Sequence, residues 1–128
     1  MKFLLDTQLL LWAYFYPLRL SVPAKRILEN RSHTLVMSVA SLWEIAIKRG
    51  LNKPDFQVDA NILRRAALRD GYEELPVLAN HALAVASLPP IHKDPFDRLL
   101  IAQALVEEIT LLTADKTIAR YPGPIRKV

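Results

Sequence analysis

Short apolar runs alternate with stretches of helical period along this chain. Lys2 to Leu5 reads as a buried strand ending on Asp6 and Thr7. From Gln8 to Phe15 the chain is apolar nearly all round, which predicts a helix covered on both sides and stopped by Pro17. Ser21-Val22-Pro23 offers a helix start, with Ala24, Ile27 and Leu28 following at helical spacing. Thr34 to Met37, β-branched and apolar, is a second strand. Ser38 or Ser41 can cap the next helix, which runs through Leu42, Trp43, Ile45 and Ile47 to Gly50 as an end signal. After a loop over Lys53 to Val58, Asp59 caps a helix bearing Ile62, Leu63, Ala66 and Ala67 and closed by Gly71. Tyr72 to Val77 is a strand broken by Pro76, and Asn80 to Leu88 a short helix leading to the constrained Pro89-Pro90. Asp94 followed by Pro95 opens a helix carrying Leu99, Leu100, Ala102, Gln103, Leu105 and Val106. Ile109 to Leu112 is a buried strand, Asp115 opens a last short helix, and Ile125 to Val128 can add an edge strand.

Strands alternating with helices define the class as α/β with a mostly parallel sheet. At 128 residues the expectation is one domain over 1–128, and 52% apolar against 23% charged residues supplies a core and argues against disorder. The formal charge of +4 suits a polyanionic partner without demanding one. Runs such as Leu9 to Trp12 fall far short of the roughly 20 apolar residues a membrane span needs. The start is too soon acidic for a secretion signal. Cysteine is absent, which removes disulfides and thiolate chemistry and suits a cytoplasmic location.

The informative pattern is the placement of carboxylates relative to strand ends. Asp6 follows the first strand, Glu44 lies early in the helix after the second, Asp97 is in the first turn of the Asp94-Pro95 helix, and Asp115 comes three residues after Leu112. In an open parallel sheet the carboxyl ends of strands share one edge, and ligands bind in the crevice there. Unit like charges about 4 Å apart repel by roughly 4 kcal/mol at an effective dielectric of about 20, so a cluster there binds protons or a cation. Oxygen ligands without Cys or His select Mg²⁺ or Mn²⁺, and such an ion activates water against a phosphodiester. Each acid also has a structural explanation to weigh. Asp94 and Asp115 are natural caps and Asp97 is favoured by the helix dipole. Asp6 and Glu44 sit among apolar neighbours, a poor place for an unpaired charge.

Four blocks now carry a resemblance: Leu4-Leu5-Asp6-Thr7 with Leu10-Leu11-Trp12; Ser38-x-x-Ser41-x-Trp43-Glu44-Ile45; Asp94-Pro95-Phe96-Asp97-Arg98 running into Ile101-Ala102-Gln103-Ala104; and Leu112-Thr113-x-Asp115. In this order and spacing the chain resembles the PIN domain, and more narrowly the VapC-type toxins of bacterial type II toxin–antitoxin systems. The resemblance implies a three-layer α/β/α fold and a Mg²⁺- or Mn²⁺-dependent ribonuclease acting on RNA. It implies Asp6, Glu44, Asp97 and Asp115 as the metal-binding set, with the hydroxyls of Thr7 and Thr113 nearby. It further implies inhibition by a VapB-like antitoxin and assembly as a homodimer. Gln8 stands where such toxins often carry His, a departure that removes no acidic ligand.

Other residues have two readings each. Asp94 and Asp97 both lie in the matched block, and Asp97 is favoured as the ligand because Asp94 is occupied in capping. Arg98 can pair with a carboxylate or hold a phosphate. Lys48 and Arg49 suit the helix C-terminus or an RNA contact, and Arg64, Arg65 and Arg69 a solvated face or RNA steering. His33, His81 and His92 lack metal-ligand spacing, and His92 alone lies near the acids. Trp12, Tyr14, Phe15 and Tyr16 are core or a protein interface. A non-catalytic binding module is the competing function, disfavoured because a polyanion binder gains nothing from a negative pocket without metal. A phosphoaspartyl transferase is disfavoured by Gln8, which takes the place of its second acid.

Overall fold

The computed structural model describes residues 1–128 as a five-stranded, all-parallel sheet flanked by helices on both faces, a three-layer α/β/α arrangement. In chain order the elements are β1 (Lys2–Leu5), α1 (Thr7–Phe15), α2 (Val22–Glu29), β2 (Thr34–Ser38), α3 (Val39–Gly50), α4 (Ala60–Arg69), β3 (Glu73–Leu75), α5 (Ala79–Ala84), α6 (Pro95–Glu107), β4 (Thr110–Thr113) and β5 (Ile125–Lys127). Single 3-10 turns occupy Pro17–Arg19, Val85–Ser87 and Ile118–Arg120.

The strand order is β3-β2-β1-β4-β5. From β1 the chain steps outward to β2 and β3, then returns across the sheet to β4 and steps outward the other way. Right-handed crossovers make that reversal change the face on which the connecting helices lie. The side-chain alternation of the strands matches. Phe3, Leu5, Met37 and Leu112 point into one core with Leu9 and Leu10 of α1, Ile45 of α3, and Leu63 and Ala67 of α4. Leu4, Val36 and Leu111 point into the other, against Leu100, Ile101 and Ala104 of α6 and Ile118. The reversal falls between β1 and β4, so their carboxyl ends open a crevice.

Several local readings of the sequence hold: Ser21, Ser38, Asp59 and Asp94 all cap their helices through the side chain. Others shift for identifiable reasons. Gly50 is not the left-handed end residue of α3. The helix ends on Leu51 in right-handed conformation, and Asn52 takes the positive φ of 54° instead. β3 is shorter than Tyr72 to Val77 because Pro76 has no N–H for the ladder, and its carbonyl is claimed by the Gln103 side-chain amide at 3.2 Å. The helix expected over Asn80 to Leu88 breaks after Ala84 into a 3-10 turn. In α1, Trp12 and Tyr14 pack on the first core while Phe15 and Tyr16 are exposed, so the aromatic cluster divides between core and surface.

A buried polar clamp fixes α6 against the end of β2. Ser38 Oγ accepts from Ala40 N to start α3 and donates to Gln103 Oε1 at 2.6 Å. Both side chains are fully buried, so each needs the other. In the α6 layer, Leu100 is fully buried and its truncation leaves a void. Leu100→Ala should cost about 2–5 kcal/mol in urea denaturation; a loss under half the lower figure would show that this layer is loosely packed.

Candidate active site

Asp6, Thr7, Gln8, Leu11, Trp12, Glu44, Lys48, Asp94, Asp97, Ala114, Asp115 and Ile118 line a cleft of about 420 Å³ at the crevice. The four predicted acids therefore line one cleft, with Asp94 as a fifth and Lys48 as its cation.

Asp6 leaves β1 and caps α1: its Oδ1 accepts from Leu9 N at 2.8 Å, while Oδ2 accepts from Thr113 Oγ1 at 2.6 Å. The Thr113 hydroxyl oxygen in turn accepts from Asp115 N at 3.0 Å, so the ends of β1 and β4 are tied through one side chain. Thr7, next along, donates its hydroxyl to Ser41 Oγ at 2.9 Å, joining the starts of α1 and α3. Asp6 is almost fully buried, and its pKa is raised to about 7. Desolvation is the main cause, aided by the charges of Asp97 and Asp115 and opposed by the Thr113 and Leu9 hydrogen bonds.

Glu44, one turn into α3, is 6% exposed. One oxygen meets Lys48 Nζ at 3.1 Å, an i,i+4 pair, while Oε1 is buried with no partner. The buried indole N–H of Trp12, which lines the same cleft, also lacks an acceptor. At the start of α6, Asp94 Oδ1 accepts from Phe96 N and Asp97 N, as its capping role requires. Asp97 Oδ2 meets His92 Nε2 at 2.7 Å. Burial raises the Asp97 pKa to about 6, with Asp94 and Glu44 adding to the rise and His92 opposing it. Asp115 is the exposed member, and its Oδ1 accepts from Thr117 N and Ile118 N at the turn after β4.

Two placements differ from the sequence-based picture. Arg98 is not on the cleft wall and meets neither a carboxylate nor an open surface. Its guanidinium donates to the carbonyls of Val85 and Pro89 and to the Tyr121 hydroxyl, at 3.0 to 3.2 Å. The position beside Asp97 points the two side chains different ways around α6, so one serves the cleft and the other staples the preceding loop. The tightest set of potential ligands includes only one of the four predicted acids: His92, Asp94 and Asp97 bring their ligating atoms within 4.8 Å of one another. Asp6 and Asp115 are held by capping bonds and Glu44 by Lys48, outside that set. Sequence reasoning missed the capping role of Asp6, although an acid directly before an apolar helix is the usual signal. It also gave Lys48 only dipole or RNA roles, where the i,i+4 spacing from Glu44 predicts the pair.

The residues fit a hard divalent cation. They supply carboxylate oxygens without thiolates, one of them buried and unpaired, in a setting where the acids raise each other's proton affinity. Together the fold and the cleft define an open parallel α/β protein with a carboxylate-lined crevice at its topological switch point. The model of the PIN domain matches residues 3–124, and the chain belongs to that family.

Solved structures share this shape over the whole chain. A chain of VapBC2 from Rickettsia felis, solved with a DNA fragment from its promoter, aligns with TM-score 0.76 and 19% identity over 100% of this chain and 99% of that one. DNA-bound VapBC from Salmonella typhimurium gives 0.64 at 16% identity, covering 99% and 98%. VapBC-1 from nontypeable Haemophilus influenzae gives 0.62 at 19%, again covering 99% and 98%. No curated protein matches the sequence significantly.

The raised pKa of Asp6 makes a signed prediction for the metal-free protein. Folding lifts this pKa from the usual 3.8 to about 7, so the folded state holds a proton that the unfolded chain has released. Stability from this group is full below pH 3.8 and falls as pH rises through 7. In EDTA, Asp6→Asn, which carries no charge, should gain stability relative to the wild type between pH 4 and pH 8 in denaturant titrations. A difference that stays flat across that range would refute the burial-driven shift.

Proposed function

We propose that this chain is a single PIN-type domain acting as a divalent-metal-dependent endoribonuclease, the toxin of a type II toxin–antitoxin pair. The observation that carries the reading is the buried, unpartnered Oε1 of Glu44, a residue lining the cleft together with Asp6, Asp97 and Asp115. A buried carboxylate oxygen without a donor costs roughly 1–3 kcal/mol or more, and a cation removes that cost. A fold stabilised for its own sake would place an apolar side chain there.

Asp6, Glu44, Asp97 and Asp115 would hold Mg²⁺ or Mn²⁺. The ion, when bound, would supply activated water and charge neutralisation at a phosphodiester. The protein's part is orientation. Thr113 and Leu9 N fix both oxygens of Asp6, Asp94 fixes the start of α6 beneath Asp97, and Lys48 balances one oxygen of Glu44. Thr7 sets the approach of α1 to α3 through Ser41. Arg98 supports the site by bracing the loop before α6 rather than by touching substrate.

The antitoxin reading is supported by the shape shared with chains from VapBC structures. A groove between the end of α1 and the start of α4, with Phe15, Tyr16 and Ile62 exposed along it beside Arg49, Asp55 and Asp59, offers a mixed apolar and charged seat for such a partner. Assembly as a homodimer and action in the cytoplasm belong to the same proposal; no helix is long and apolar enough to cross a membrane.

The test is incubation with structured RNA in Mg²⁺ or Mn²⁺. Cleavage should vanish in EDTA and fall at least about 100-fold in Asp6→Ala, since the nucleophilic water and its charge support are lost together. Metal uptake without cleavage of any RNA would favour a binding module instead. Within the site, Asp97→Asn should abolish cleavage while Asp94→Asn, which keeps a capping oxygen, retains much of it. The opposite ranking would reassign the ligand.

A further inference from the structure

His92 follows Pro89-Pro90-Ile91 in the loop that enters α6. The backbone of this residue is already anchored without help from its ring. Its N–H donates to the Tyr121 hydroxyl at 2.7 Å, and that hydroxyl also receives Arg98 Nη1 at 3.0 Å. Arg98 further pins the carbonyls of Pro89 and Val85. The loop is therefore held by main-chain contacts to two residues outside it. The imidazole is left with a single hydrogen bond, from Nε2 to Asp97 Oδ2 at 2.7 Å. It is 23% exposed, which separates it from fully buried His81, whose two ring nitrogens serve Leu78 N and Glu107 within the scaffold.

Asp97 needs such a partner. Its main chain is set by Asp94, but its carboxylate can still rotate, and the like charges of Asp94 and Glu44 act on it. A donor on one oxygen fixes the rotamer and leaves the other oxygen for a cation. With Asp97 ionised, as a ligand must be, the ring nitrogen is the donor. Tyr121 extends the frame: it ends the 3-10 turn whose first amide groups are capped by Asp115. Asp115 and Asp97 are thus connected through the turn, the Tyr121 phenol, the His92 backbone and its imidazole.

We propose that His92 is a positioning residue of the metal centre, orienting the Asp97 carboxylate through Nε2, with Tyr121 holding His92 in register with the Asp115 turn. This rests on Asp97 being a metal ligand, as proposed above. An outer hydrogen-bond partner of this kind is worth about 10- to 100-fold in metal affinity.

The experiment is calorimetric titration of Mn²⁺ into the chelator-treated full chain, with thermal melting in EDTA alongside. His92→Ala should bind Mn²⁺ about 10- to 100-fold more weakly while melting within a few degrees of the wild type, because the loop anchors are backbone atoms. His92→Gln places an amide N–H at the distance of Nε2 and should recover most of the affinity. His92→Asn, whose amide reaches only as far as Nδ1, should not. Tyr121→Phe, nearly isosteric, should weaken Mn²⁺ binding by a smaller factor and supplies the same readout if the alanine variant fails to fold. Wild-type affinity in His92→Ala, or equal weakening in the Gln and Asn variants, overturns the role of His92 and leaves the metal site standing. Absence of Mn²⁺ uptake by the wild type overturns the metal site itself, and this proposal with it.

Discussion

The hydrogen bond from Thr113 to Asp6 is the constraint around which the rest is arranged. It joins β1 to β4 at the one place where the chain reverses its direction of travel through the sheet. It also uses one of the few donors available to a carboxylate that is almost wholly removed from water. A second donor, Leu9 N, comes free with the start of α1. Two hydrogen bonds do not offset the desolvation, which still raises the pKa to about 7 and makes ionisation costly. The fold therefore tolerates a destabilising charge at its centre, as functional sites commonly do.

Helix starts explain how so much negative charge is gathered. Asp6, Asp94 and Asp115 each accept from backbone N–H groups at the first turn of α1, of α6 and of the last 3-10 turn. Unpaired N–H groups and the positive end of the helix dipole offset part of the repulsion before any ion arrives. Capping and chemistry are therefore not competing explanations for these residues. Asp97 and Glu44 differ: neither caps a helix, and each leans on a single side chain, His92 or Lys48. This makes them the acids most dependent on their neighbours for orientation.

The fold was legible wherever one physical signal dominated. Short apolar runs placed the strands and helical spacing the amphipathic helices, and Pro95 after Asp94 located the start of α6. The acids were legible as a set, because strand ends in a parallel sheet converge whatever their separation in sequence. What escaped was information carried by side-chain direction. Adjacent Asp97 and Arg98 look equally available in a sequence, yet one lines the cleft and the other faces Val85 and Pro89. His92 stood out only as lying near the acids, because its partner is five residues on, past Pro95 and outside any helical period. The Gly50 end signal failed because Asn can also adopt left-handed backbone, and Asn52 took that role.

The distribution of charge carries the functional reading one step further. The chain is net positive, at +4, while its crevice concentrates five carboxylates against one lysine. A polyanion is drawn to the molecule as a whole and repelled by the place where it would react. The two fields reconcile only when cations occupy the cleft and change its sign. On the proposed reading each would then favour the other: the cation would lower the electrostatic cost of admitting a phosphodiester, whose charge would in turn favour the cation. On the proposed reading, metal and RNA affinity are thus linked rather than sequential requirements. The wide spacing of the acids, which form no closed cage of their own, is then a consequence of a site completed by its substrate.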